Sequence, residues 1–226
     1  MIVMQPVLET YASDGFAFWP VAEGQPFGYL ALSGGLTSAE VGTAVRRIAE
    51  CNDIDPDPNA GDDRPPRPAD RLGSFLHGLL TFDSLFAAGG LRVTDSSTGV
   101  TLLPGCCNGL ENWRDWSTVL DGSGPVFFGH DPDPGAELFG DTVRLVIDVE
   151  QSDSPVIELP AIELRRLLGG VERDLADFLA LTAEWASRQL PDHSHSVVAA
   201  LARVLDLPTP VVPSSRQGHH PAPPMQ

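Results

Sequence analysis

Two adjacent cysteines, Cys106 and Cys107, lie in the segment Pro104-Gly105-Cys106-Cys107-Asn108-Gly109-Leu110-Glu111-Asn112-Trp113-Arg114-Asp115-Trp116. A thiolate is a nucleophile and a soft metal ligand, so the pKa of each thiol decides what it can do. Asn108 followed three residues later by Glu111 reads as a helix start, with Gly109 as the first helical residue and Cys107 just before the cap. The dipole at a helix N-terminus is equivalent to roughly half a positive charge and would stabilise a thiolate there. Two arguments oppose a chemical role. Neighbouring cysteines form a strained disulfide, and they lack the gap of Cys-x-x-Cys that lets two sulfurs face one zinc. A tight turn with structural thiols is the competing expectation.

The second constellation is His130-Asp131-Pro132-Asp133. It offers an imidazole beside carboxylates, the groups an acid–base dyad or a metal site requires. Cys106, Cys107, His130 and Asp131 are therefore the catalytic candidates, and Cys106, Cys107 and His130 the candidate metal ligands. His77 is an alternative base for a cysteine enzyme. Spacing alone does not say which of these groups meet. His193 and His195 fall at a helix start, and His219 and His220 in the C-terminal tail.

Trp113 and Trp116 lie three apart on the expected helix, sharing a face with Leu110 and Leu120. That face serves either the core or a partner. Exposed Trp beside Arg is typical of binding hot spots, so Trp113, Arg114 and Trp116 are the partner-binding candidates.

Other chemistry is excluded more firmly. All 14 basic residues are arginine, which removes a P-loop lysine and any Schiff base. Gly-x-Ser-x-Gly, His-Glu-x-x-His and a strand-linked Gly-x-Gly-x-x-Gly are missing from the sequence. No cofactor is expected. The net charge of −17 opposes binding to nucleic acid or to an anionic membrane, and fits a basic protein partner or solubility. Three cysteines do not pair completely within one chain. With no evident signal peptide or apolar span, a cytoplasmic protein with reduced thiols is expected.

The elements that must position these residues suggest an α+β domain over residues 1–207: a small antiparallel sheet packed with four to five helices, one of them a long C-terminal helix. Residues 2–9 and 16–32 read as strands. The capping box Thr37-x-x-Glu40 starts a helix that ends near Cys51. Residues 52–70 are too rich in Pro and Asp to pack and read as a flexible linker. Neither register of an EF-hand loop fits, because Pro58 or Ala60 falls at the glycine position.

A helix is expected from Asp70 to Ala87, stopped by Gly89-Gly90. A hairpin follows, pairing 91–94 with 100–103 and closed by Gly99. Residues 121–141 read as loop, and 142–150 and 155–159 as strands. After Pro160 a long helix carries a heptad seam of Leu164, Leu168, Val171, Leu175, Phe178, Thr182 and Trp185, which offers a surface (164–185) for self-association. A last helix spans 196–207, and the Pro-rich tail 208–226 reads as disordered.

The hairpin followed by Pro104-Gly105-Cys106-Cys107-x-Gly109-Leu110-Glu111-x-Trp113, and then by Gly129-His130-Asp131-Pro132, resembles a group of actinobacterial proteins over roughly residues 70–190. The resemblance implies a bacterial cytoplasmic protein and carries over no activity. The acidic α+β character also resembles immunity proteins of contact-dependent toxins, in composition only. Together these features favour a non-enzymatic, immunity-type or regulatory module binding a basic partner. A thiol- or metal-dependent protein centred on Cys106, Cys107 and His130 is the alternative.

Overall fold

The structure is a computed structural model that describes residues 1–11, 15–23, 27–57, 59 and 61–210. Its class is α+β, but the strands sort into two antiparallel sheets of four rather than one. Strand β1 (Ile2–Thr10) lies between β2 (Gly28–Ala31) and β3 (Gly89–Asp95), and β4 (Thr101–Leu102) completes the order β2-β1-β3-β4. The second sheet is a meander of β5 (Val126–Phe127), β6 (Gly135–Phe139), β7 (Thr142–Val146) and β8 (Val156–Pro160). Around them lie α1 (Ser38–Cys51), α2 (Arg71–Thr81), a 3₁₀ helix (Leu110–Asp121), α3 (Ala161–Gln189) and α4 (Ser194–Val204).

Helix α1 begins as expected. Thr37 accepts from the Glu40 backbone N–H, and the Glu40 carboxylate accepts from the Thr37 N–H at 2.7 Å. Its buried Val41, Val45 and Ile48 face the core. The 89–102 hairpin also forms, with Val93 opposite Leu102 and Gly99 at φ 76°.

Other boundaries move for identifiable reasons. Phe16 and Phe18 make no strand. They pack with Trp19 and Phe75 in a cluster of edge-on and tilted rings, so their aromatic character serves packing rather than pairing. Helix α2 is capped by Asp70, which accepts from Gly73 N at 2.6 Å, but it stops at Thr81. Gly89 and Gly90 do not end it. They open β3, beside Leu8 and Val7 of β1. The stretch 121–141 contains two strands, and the expected strand from Thr142 ends at Val146.

The acidic segment 52–70 is tied to the body by side chains that composition does not reveal. Buried Asn52 donates to Ile48 O and Phe86 O, and accepts from Phe86 N. Arg67 bonds Asp53 and Ser74 O, Arg64 lies 3.5 Å over the Phe82 ring, and His77 Nε2 meets Pro65 O at 2.7 Å.

Helix α3 runs unbroken through Gly169 and Gly170. Its seam is buried against the rest of this chain, apart from half-buried Leu168. A contact between these seam side chains and a second copy would therefore have to open the core. Helix α4 starts at Ser194, just after His193. From residue 211 the expected disordered tail lies outside the described residues. Among the described residues, no helix is long and apolar enough to cross a membrane.

Candidate functional site

The segment 104–110 does not begin an α-helix. Asn108 faces β3 instead: its side-chain Nδ2 donates to Gly89 O at 2.8 Å, and its backbone O accepts from Gly89 N. Glu111 does not return to an Asn108 cap either. Its carboxylate accepts from Ala87 N at 3.0 Å, and burial raises its pKa. The following helix is 3₁₀, has Gly109 at its cap without a side-chain bond, and starts at Leu110. Cys107 therefore lies two residues before the cap of a 3₁₀ helix rather than directly before the cap of an α-helix, and the expected placement of its thiol at a helix N-terminus is not met.

The thiols lie in a turn. Asn108 N donates to Gly105 O, placing Cys106 and Cys107 at its centre, with Cys107 at φ 61°. In an extended strand successive side chains point to opposite faces. The left-handed residue instead brings the second thiol round to the first, and the sulfurs stand 3.5 Å apart. The objection that adjacent cysteines cannot share a ligand is thus removed by one backbone angle.

A second segment lies directly against this turn. Cys106 N donates to His130 O at 2.6 Å, His130 N donates to Cys106 O at 3.2 Å, and Gly105 N donates to Phe128 O at 2.9 Å. Two glycines permit the approach. A Cβ on Gly105 would come within 2.5 Å of Pro132 O and 2.6 Å of His130 N. A Cβ on Gly129, at φ 105°, would come within 2.6 Å of Gly105 C. The His130 imidazole is thereby placed beside the thiols. One ligand atom from each of Cys106, Cys107 and His130 lies within 4.8 Å of the other two, and all three residues are exposed. Asp131 Oδ2 lies 3.1 Å from His130 Nδ1, which orients the ring.

The hydrogen bonds separate the two thiols electrostatically. Cys107 is held below the ordinary thiol range, first by the bond from Cys106 and then by His130. Cys106 is raised, first by that same bond and then by desolvation. His130 is raised by Asp131 first and Cys107 second. The third cysteine, Cys51, is half-buried and desolvation pushes its thiol up. Chemically, the cluster can present a thiolate, a second thiol and an imidazole to one soft cation, or a lowered-pKa nucleophile with an oriented base.

The structure thus brings Cys106, Cys107, His130 and Asp131 together. It removes Trp113 and Trp116 from the partner-binding candidates. They are 4% and 2% exposed, Trp113 Nε1 donates to Leu205 O at 2.9 Å, and Trp116 stacks on Phe128 at 3.9 Å. Arg114 remains at the surface, bound to Asp206 at 2.6 Å and to Glu172 at 3.0 Å. His77, within α2, is buried and engaged with Pro65 O.

Residue-by-residue reading missed the groups around the cluster. A cleft of about 280 Å3 adjoins Cys106 and is bordered by Glu9, Tyr11, Phe27, Tyr29, Pro104, Asp131 and others. A glycine stands just before two of the candidate ligands, Gly105 before Cys106 and Gly129 before His130. Compared with protein-family models, with curated proteins and with solved structures, the chain matches none of them.

Proposed function

We propose that this protein binds a thiophilic metal cation of the zinc class through Cys106 Sγ, Cys107 Sγ and His130. The convergence of these three ligand atoms within 4.8 Å carries the reading. Zinc–sulfur bonds of about 2.3 Å at tetrahedral angles set two sulfurs about 3.8 Å apart, close to the 3.5 Å between these two. The bond between Asp131 and His130 Nδ1 makes Nε2 the ring nitrogen available to a metal, the carboxylate–histidine arrangement that orients such ligands. Three protein donors leave a fourth position for an external ligand. Thiols must lose their protons to ligate, and the His130 pKa is raised, so binding releases protons and weakens as pH falls.

Competition titration of Zn(II) against a chromophoric chelator tests the reading. One equivalent should bind to the wild-type chain, and Cys106→Ser, Cys107→Ser and His130→Ala should each weaken binding at least tenfold. Equal affinity in the wild type and all three variants would overturn it.

The net charge of −17 supports a second reading, an immunity-type or regulatory module that engages a basic protein partner. With Trp113 and Trp116 buried, such an interface would rest on the acidic surface instead. Recovery of a stoichiometric basic partner, released by salt, would support it. Binding that ignores salt would count against it.

A further inference from the structure

We infer that the cleft beside Cys106 is a binding site for a small organic cation, an ammonium or guanidinium carried on an apolar body. This goes beyond the metal reading and stands whether or not a metal binds. The cleft lies where the end of β1 and the start of β2 meet the Pro104 and Asp131 loops. Its volume of about 280 Å3 is near the lower limit of ordinary ligand pockets, roughly 300 Å3.

Its lining determines the kind of ligand. Three rings, those of Tyr11, Phe27 and Tyr29, and two carboxylates, those of Glu9 and Asp131, border it, and no arginine is among the described residues that line it. The hydroxyl protons are directed elsewhere: Tyr11 donates to Glu9 Oε2 at 2.9 Å, and Tyr29 donates to Pro104 O at 3.2 Å. Both phenol oxygens and the two carboxylates therefore offer acceptors to a ligand. The Cys106 thiol is bonded to Cys107. An anion would find acceptors and negative charge, whereas a cation would find charge-assisted hydrogen bonds.

The rings favour the same occupant. Tyr11 and Phe27 meet edge to face at 5.7 Å, and Phe27 is 84% exposed. Ring faces attract cations through their quadrupole. One face of Tyr11 is already covered by the Arg47 guanidinium, 4.4 Å from its centroid, so an incoming cation would rely on Phe27 and Tyr29. An ammonium in the cleft would take the carboxylates, while its apolar body would lie along Phe27, Tyr29 and Pro104.

The test compares benzylamine with benzyl alcohol and benzoate, which share the ring and differ in charge. Each is titrated calorimetrically into the metal-free full chain. Benzylamine should bind saturably at one site, more tightly than either analogue by about tenfold or more. Glu9→Gln should weaken it by about tenfold, with the far-UV spectrum unchanged. If that variant does not fold, raising the salt concentration on the wild-type chain should weaken benzylamine and leave benzyl alcohol unchanged. Benzoate or benzyl alcohol binding as well as benzylamine would overturn the inference, as would no benzylamine binding at millimolar concentration. Cys107→Ser should weaken zinc at least tenfold and retain benzylamine. Loss of zinc binding in the wild type would sink the metal reading alone, and loss of benzylamine binding would sink the cation site alone.

Discussion

Two neighbouring stretches, 105–108 and 110–121, use their residues in opposite ways. In the 3₁₀ helix, Leu110, Trp113, Trp116 and Val119 recur every third residue and are all buried. This is the period of a helix with three residues per turn. Trp116 stacks on Phe128, and Trp113 anchors Leu205, so the large aromatic groups serve the fold. In the turn immediately before, Cys106 and Cys107 are exposed, and their side chains are bonded to each other rather than to the core. The lesson is that the conspicuous tryptophans mark packing here, while the exposed thiols are small side chains held against a second segment by glycines.

The largest expected effect lies on the helix side. Trp116→Ala should cost about 3–5 kcal/mol of stability, because it removes a fully buried ring from close packing. Chemical denaturation would measure this, and a loss below about 1 kcal/mol would show that Trp116 is not core. Cys107→Ser should sit at the other extreme, within about 0.5 kcal/mol of wild type, as expected for an exposed side chain. If Cys107→Ser proves as damaging as Trp116→Ala, the contrast between the two stretches is broken.

Between those extremes stand the glycines. Gly105→Ala must push the His130 segment away or distort the turn, at a cost of about 1–3 kcal/mol. It should also reduce zinc affinity although no ligand is changed. Unaltered zinc affinity in this variant would separate the glycine approach from the site. Next, Asp131→Asn should weaken zinc about tenfold to a hundredfold by releasing the orientation of His130, with no measurable loss of stability. Competition titration beside a melting curve distinguishes the two effects.

The smallest effect concerns thiol reactivity. Cys107 is held below the ordinary thiol range and Cys51 above it. As pH rises, Cys107 should become thiolate first and react with iodoacetamide at a lower pH than Cys51. Mass-spectrometric mapping of the labelled sites would check this. Simultaneous labelling of Cys51 and Cys107 at every pH would contradict it. Cys106→Ala should move the Cys107 profile upward, because it removes the hydrogen bond that contributes most to the lowered pKa.

Local signals in the sequence predicted what local chemistry decides. The Thr37–Glu40 box, the Gly99 hairpin and the long helix after Pro160 are each specified by residues within a few positions of one another. The Asn108–Glu111 pair has the same form as the Thr37 box, yet it is used for tertiary bonds to Gly89 and Ala87. A short motif cannot distinguish those outcomes, because the competing partners are far away in the chain. The expected face of Leu110, Trp113, Trp116 and Leu120 is completed instead by Val119, because the helix is 3₁₀ and repeats every three residues.

For the site, residue types were readable and their meeting was not. Cys106, Cys107, His130 and Asp131 could be named from chemistry alone. Their convergence depends on Cys107 adopting φ 61° and on the approach of Gly105 to Gly129, neither of which leaves a periodic trace. The cleft is still less visible, since Glu9, Tyr29 and Pro104 meet only through β1–β2 pairing and the hydrogen bond from Tyr29 to Pro104 O.

X-ray absorption at the zinc edge of the zinc-loaded protein tests the central claim most directly. The Cys106–Cys107–His130 cluster predicts two sulfur neighbours at about 2.3 Å, with nitrogen or oxygen neighbours at about 2.0 Å. It also predicts a sulfur shell reduced to one by Cys107→Ser. A zinc surrounded only by nitrogen and oxygen, or a sulfur shell unchanged in Cys107→Ser, would contradict the account.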